Sequence, residues 1–129
     1  MTLFEIVALY AAINLILAPI LMYRVGQIRL GEKISLGDGG NDLLQSRIRA
    51  HGNFTENAPL LLIGLFALAS LSAAPLLLHI FGAAFTLGRI IHAIGMAGKI
   101  SNGRLIGTLT TILSYLGMAI TLIYLIAAS

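Results

Sequence analysis

The sequence predicts an all-α integral membrane protein, a bundle of four transmembrane helices. Two observations carry that prediction. Apolar types make up 58% of the 129 residues and charged types 10%, against roughly 45–50% and 25% in soluble domains. The apolar residues also come in runs of bilayer-spanning length, with the basic residues gathered between them at one set of helix ends. This composition excludes a typical soluble domain, a disordered chain and collagen. A nucleic-acid-binding surface is excluded too, because the net charge of +3 comes from only eight basic and five acidic residues. There is no cysteine, so disulfides, thiolate metal sites and a cysteine nucleophile are ruled out. The length suits one unit, residues 1–129.

The elements follow in order. A transmembrane helix needs roughly 20 predominantly apolar residues. The first such run extends from Leu3 to Tyr23, is interrupted by Glu5 and Asn14, and is ended by Arg24. It lacks the basic start and short core of a cleavable signal peptide, so it reads as a retained helix. Residues 24–46 form the longest polar stretch, holding Arg24, Arg29, Glu32, Lys33, Asp38 and Asp42 with breakers at Gly37, Gly39 and Gly40. They read as a loop. From Asn57 to Gly88 there is no Asp, Glu, Lys or Arg. Ser70, Ser72 and Pro75 break that run, giving a second helix over about 43–71 and a third over about 76–98. Residues 98–104 read as a short turn, and the fourth helix fills 105–127.

Basic residues at helix ends set orientation. With four spans, Arg24, Arg29, Lys33, Arg47, Arg49, Arg89, Lys99 and Arg104 all fall on the side of the loops at 24–46 and 98–104. The termini and the Ser70–Pro75 turn carry no Lys or Arg. The loops are therefore expected in the cytoplasm and the termini outside. Short loops and the lack of a visible retention signal point to a bacterial inner membrane.

Ionisable side chains at membrane depth are costly and mark functional sites by default. In the second helix Arg49, Asn53 and Glu56 share a face at i, i+4 and i+7, with Arg47 and His51 beside it. In the third, Arg89, His92 and Met96 share a stripe at i, i+3 and i+7. Both groups lie in the cytoplasmic half, within reach of Arg104. One reading is structural: Arg49–Glu56 or Arg89–Glu56 ion pairs, with Arg47, Lys99 and Arg104 snorkelling to the headgroups. The balance of charge argues for a ligand. Arg49, His51, Arg89, His92 and Arg104 are five potential cations against the single carboxylate of Glu56. A surplus of guanidinium asks for an anionic partner, and carboxylates suit it through paired hydrogen bonds. No metal site is expected, since His51 and His92 lie among arginines that repel a cation. His79 reads as interfacial, Asn14 and Pro19 as packing and hydrogen-bonding features, and Gly82 and Gly88 as points of close helix approach.

The stretch Arg49-Ala50-His51-Gly52-Asn53-Phe54-Thr55-Glu56-Asn57-Ala58-Pro59 resembles the MAPEG family, the membrane-associated proteins of eicosanoid and glutathione metabolism. Gly26-Gln27-Ile28-Arg29-Leu30 looks like the family segment that ends the first helix. Gly88-Arg89-Ile90-Ile91-His92 through Gly98-Lys99 looks like its third helix. The resemblance covers nearly the whole chain. It implies a homotrimer of four-helix subunits, with glutathione as co-substrate bound between neighbours near the cytoplasmic face. By position, Gln27, Arg29, Arg49, Asn53, Glu56, Arg89 and His92 would contact or support glutathione. Arg104, aligned after a one-residue gap, would stabilise its thiolate. Gly52 stands where some glutathione-using members carry another Arg, and Met96 where they carry Tyr.

The function expected on this basis is a glutathione-dependent transferase, or peroxidase-like activity, on a hydrophobic electrophile supplied from the membrane lipids. Two other classes compete. One is a non-catalytic family member that binds a lipid or a partner protein. The other is a small four-span transporter, which would want a buried carboxylate in its first helix, where only Glu5 is available at the outer edge. Thiol conjugation measured beside glutathione binding separates the three.

Overall fold

A computed structural model describes residues 1–128 of the chain. Among them it is all helix and connecting turn: α1 (Leu3–Glu32), α2 (Asp42–Ser70), α3 (Pro75–Met96) and α4 (Gly103–Ala127). Each start has a local cause. Thr2 caps α1 through a capping box, accepting from the Glu5 amide at 3.2 Å while the Glu5 carboxylate accepts from the Thr2 amide at 2.7 Å. Both orphan donors are thereby satisfied. Asn41 caps α2 by accepting from the Leu44 amide at 2.9 Å. Pro75 opens α3 at its first turn, where a missing N–H costs nothing. Helix α4 starts from Asn102 in the left-handed region, with no side-chain cap.

The polar stretch after Tyr23 corrects one expectation. Residues 24–46 are not one loop, because α1 continues to Glu32 and α2 begins at Asp42. Polarity was the wrong signal. Arg24-Val25-Gly26-Gln27-Ile28-Arg29-Leu30 is mostly made of residues that tolerate helix well, and the breakers cluster only after residue 36. The helix ends where Lys33 enters the left-handed region and the Ile34 amide bonds back to the Arg29 carbonyl at 3.0 Å. The remaining connection, 33–41, is short. The other seven helix ends fall within two residues of those read from the sequence.

Helix α1 packs on α2 and α3, α4 packs on α3 and α2, and α1 and α4 do not form a mutual interface. The shared core holds Leu61, Leu65, Leu68, Leu78 and Phe85, all fully buried. The outward faces stay apolar, with Leu15, Ile16, Ile63, Ile120 and Ile123 exposed. Such a surface suits hydrocarbon and not water. Helices α1, α3 and α4 are each long and apolar enough to cross a membrane. Helix α2 is long enough, but its first half carries the charges.

Small residues set the closest contact. A Cβ on Gly88 would strike the Thr110 side chain, one on Gly95 would lie 2.6 Å from the Gly103 and Arg104 backbone, and one on Gly107 would lie 2.5 Å from the Gly88 carbonyl oxygen and from His92 Cβ. The expectation for Gly88 holds, and α4 supplies the matching glycines. Gly82 likewise admits the Tyr10 ring. Between apolar helices in lipid, such close packing supplies much of the adhesion.

Candidate functional site

The glycine contact brings one end of α3 against the start of α4, and Arg89 and His92 occupy that seam. Arg89 is 2% exposed and His92 5%. The Arg89 guanidinium donates through Nη1 to the Asn53 side-chain oxygen on α2 and through Nη2 to the Gly107 carbonyl on α4. Its carbon lies 5.6 Å from the centre of the Phe85 ring, within cation–π range. Three helices are therefore joined by one cation. Neither hydrogen-bond partner is a carboxylate, and Nε has no partner among the described residues. A second tie lies beside it: the Tyr115 hydroxyl on α4 bonds to the carbonyl and side-chain oxygens of Asn57 on α2, each at 2.9 Å.

The internal ion pairs considered from the sequence do not form among the described residues. Arg89 turns to Asn53 and Gly107, while Arg49 and Glu56 are exposed on the outer side of α2. Asn53 is half-buried and faces inward, so the face shared by Arg49, Asn53 and Glu56 divides between the subunit interior and its surface. Arg104 is exposed at the first turn of α4, its backbone against Gly95. Gln27 is exposed and Arg29 half-buried on the extended end of α1. The Arg29 guanidinium holds the following loop, donating from Nη1 to the Gly37 carbonyl at 2.9 Å and the Ile34 carbonyl at 3.4 Å.

Thus Arg89, His92 and Asn53 gather inside the subunit, Arg49, Glu56 and Arg104 lie on its surface, and Gln27 and Arg29 line another helix. Among the described residues, no group of three or more His, Asp or Glu is arranged to hold a metal ion. Sequence reasoning missed the Gly107 carbonyl, which carries no side-chain signature, and the Tyr115–Asn57 tie. Arg47, read from the sequence as a headgroup anchor, instead donates to the Arg24 carbonyl of α1 at 2.6 Å. That bond fixes the start of α2 to the polar end of α1.

The comparison with family models matches residues 7–124 to the MAPEG family. The chain belongs to the MAPEG family. As a MAPEG protein it is similar to the inner membrane protein YecN of Escherichia coli strain K12, 31% identical over 104 residues, which span 81% of this chain and 79% of that protein. YecN of Escherichia coli O6:H1 strain CFT073 matches to the same extent. No solved structure matches this MAPEG chain. The match spans all four helices, from the first third of α1 to the last turn of α4.

Proposed function

We propose that this MAPEG protein is a four-span inner-membrane homotrimer that binds glutathione between subunits and transfers it, as thiolate, to an apolar electrophile. The domain is the whole chain, 1–129, and the polar end of the bundle faces the cytoplasm. The observation that carries the reading is the split of the charged residues. Arg89 is buried and held by two helices without a carboxylate. Arg49, Glu56 and Arg104 are exposed on an otherwise apolar subunit. Charges displayed on a lipid-facing body want an anionic, hydrogen-bonding partner and a second protein surface to exclude lipid.

Glutathione has two carboxylates for arginines and one ammonium for Glu56. Gln27 and Arg29, on the opposite side of the bundle from α4, would come from the neighbouring subunit. Because Arg29 also braces the 33–37 loop, it would contribute charge and one remaining edge of its fork. His92 and Asn53 would orient Arg89. A guanidinium at Arg104 beside the sulfur would favour the thiolate, the nucleophilic form. The thiol proton would leave to water at the cytoplasmic mouth. The thiolate would then form the new C–S bond to the electrophile while its leaving group departs with the bonding electrons. The apolar electrophile would arrive through the lipid-exposed face.

The relative's name assigns a membrane and no chemistry, and Met96 stands where a ring hydroxyl would be expected in glutathione-using members. The second reading is therefore a MAPEG protein that binds glutathione or a lipid without turnover. The deciding experiment reconstitutes the protein in liposomes and measures glutathione binding by calorimetry beside conjugation of 1-chloro-2,4-dinitrobenzene. Saturable binding with turnover supports the enzyme, binding alone supports the binder, and absence of both removes glutathione from the account.

A further inference from the structure

At the polar end of α1 an open cavity of about 390 Å³ is lined by Arg29, Leu30, Lys33, Ile34 and Ser35. That volume is within the range of small-molecule sites. Two cations and a hydroxyl supply its polar groups, and no carboxylate lines it.

These donors are largely uncommitted. Arg29 directs Nη1 to the Ile34 and Gly37 carbonyls, and its Nη2 and Nε make no hydrogen bond among the described residues. The Lys33 ammonium and the Ser35 hydroxyl make none there either, and the neighbouring Glu32 carboxylate forms no ion pair with Arg29 or Lys33. The carbonyl end of a helix favours nearby cations, which accounts for one edge of Arg29. The other edge and Lys33 are left without an anion.

Depth decides which anion can meet them. Arg29 lies six residues past Tyr23, where the apolar run ends, or about 9 Å along the helix. The headgroup layer on each side of the hydrocarbon is about 5–8 Å thick, and long basic side chains reach back toward it. The cavity is therefore at the level of lipid phosphates.

An apolar track leads from it into the bilayer. Leu15, Met22, Gly26 and Lys33 stand at i, i+7, i+11 and i+18 on one stripe of α1. Leu15 and Met22 are exposed. A Cβ on Gly26 would meet nothing within 4 Å, so the stripe has a notch between Met22 and the cations. Leu30, 84% exposed, stands at its edge. A soluble anion would meet the cations and leave this track uncovered. A zwitterionic headgroup would bring its own ammonium against Lys33, with no carboxylate in the lining to receive it.

From this complementarity we infer that the end of α1 binds an anionic phospholipid. Its phosphate sits between Arg29 and Lys33, and one acyl chain follows Gly26, Met22 and Leu15. The site goes beyond the thiol reading and shares only Arg29 with it, so the test falls on Lys33 and Gly26.

The full-length protein is placed in phosphatidylcholine liposomes with a trace of photolipid carrying a diazirine in its acyl chain. The photolipid is phosphatidylglycerol in one sample and phosphatidylcholine with the same chains in the other. Mass spectrometry should find segment 15–30 labelled about 5- to 30-fold more by the phosphatidylglycerol, the scale of one to two basic residues meeting an anionic lipid. Lys33→Gln should reduce this preference about 5-fold, and Lys33→Arg should retain it. Gly26→Phe projects into open space and should abolish the preference while the melting temperature stays near that of the wild type. Inorganic phosphate at millimolar concentration should leave the labelling unchanged. Equal labelling by the two probes, a preference unaltered in Lys33→Gln or in folded Gly26→Phe, or displacement by inorganic phosphate, which would make the ligand a soluble anion, would overturn the assignment.

Discussion

Arg89 on α3 donates to the side-chain oxygen of Asn53 on α2, and this bond places a cation at a helix junction without a carboxylate to neutralise it. The second arm of the fork, to the Gly107 carbonyl on α4, makes the guanidinium the common tie of three helices. A lysine has neither the planar fork nor the reach for two diverging acceptors. Arg89→Lys should therefore lower stability, and Arg89→Met should lower it further by leaving the Asn53 side-chain oxygen without its donor, while the Gly107 carbonyl keeps the Thr110 and Thr111 hydroxyls. Hydrogen bonds to charged groups contribute about 1.5–3 kcal/mol each. A double-mutant cycle of Arg89→Met with Asn53→Leu, read by thermal melting in detergent, should give clear coupling. Additive losses would mean that the two side chains do not act together.

Gly107→Ala should loosen the α3–α4 seam. The new methyl group would lie 2.5 Å from the Gly88 carbonyl oxygen and from His92 Cβ, so a backbone must move. Overpacking of this kind typically costs 1–3 kcal/mol, roughly. Gly52→Ala, where a Cβ would meet nothing within 4 Å, is the matched control. Equal melting temperatures for the two variants would contradict the close contact.

Arg49→Ala and Glu56→Ala should abolish glutathione binding while leaving the subunit's stability nearly unchanged. Both side chains are exposed on the single subunit, and such surface changes usually stay within about 0.5 kcal/mol. Loss of one partner of a desolvated charged pair at an interface costs about 2–5 kcal/mol of affinity. Calorimetry and melting on the same preparation separate the two effects, and cross-linking should stop at three subunits. Wild-type affinity in an assembled Arg49→Ala protein would remove Arg49 from the ligand.

Arg104→Ala should keep most glutathione affinity and lose the ultraviolet absorbance of the bound thiolate. Conjugation should fall by about 10²- to 10³-fold, the scale for loss of one electrostatic stabiliser. Arg104→Lys should be intermediate. An unchanged thiolate signal in Arg104→Ala would make the residue an interfacial anchor.

The proposed membrane orientation predicts opposite labelling of Ser35→Cys and Ala74→Cys by an impermeant maleimide. Both positions are exposed and neither has a positive φ, which makes Ser35 a better site than Gly39, where φ is +57° and a Cβ would lie 2.9 Å from Ile34. Only Ala74→Cys should label from outside intact cells. Labelling of Ser35→Cys there would invert the topology.

The helix count, the turn before Pro75 and the start of α4 were legible because apolar runs, proline and glycine each act locally. The continuation of α1 to Glu32 was not. Once a helix leaves hydrocarbon, hydropathy stops reporting on backbone conformation, and only caps and breakers do. The site was legible by residue type but not by direction. Helical periodicity put Arg49, Asn53 and Glu56 on one broad face. It could not say that Asn53 turns inward to Arg89 while its neighbours look out, because that depends on where α3 crosses. Gly107 was invisible for a different reason, since its contribution is a backbone oxygen. Asn14 was correctly read as a hydrogen-bonding residue, but its unused acceptor emerges only when Tyr10 and Thr86 are seen to take both of its donors.

At 1.5 Å per residue, the 30 residues of α1 make a rod about 45 Å long, against a hydrocarbon layer of about 30 Å. Its polar end is braced by Arg47 on the Arg24 carbonyl and by Arg29 on the loop beyond. The polar end of the bundle thus carries a helical extension tied to its neighbours by two arginines. A solute approaching from that side meets an end where the basic residues outnumber the carboxylates of Glu32, Asp38, Asp42 and Glu56. Its arrival should be governed by diffusion and electrostatic steering and should slow as ionic strength rises. It should show no lag for a segment to fold over it.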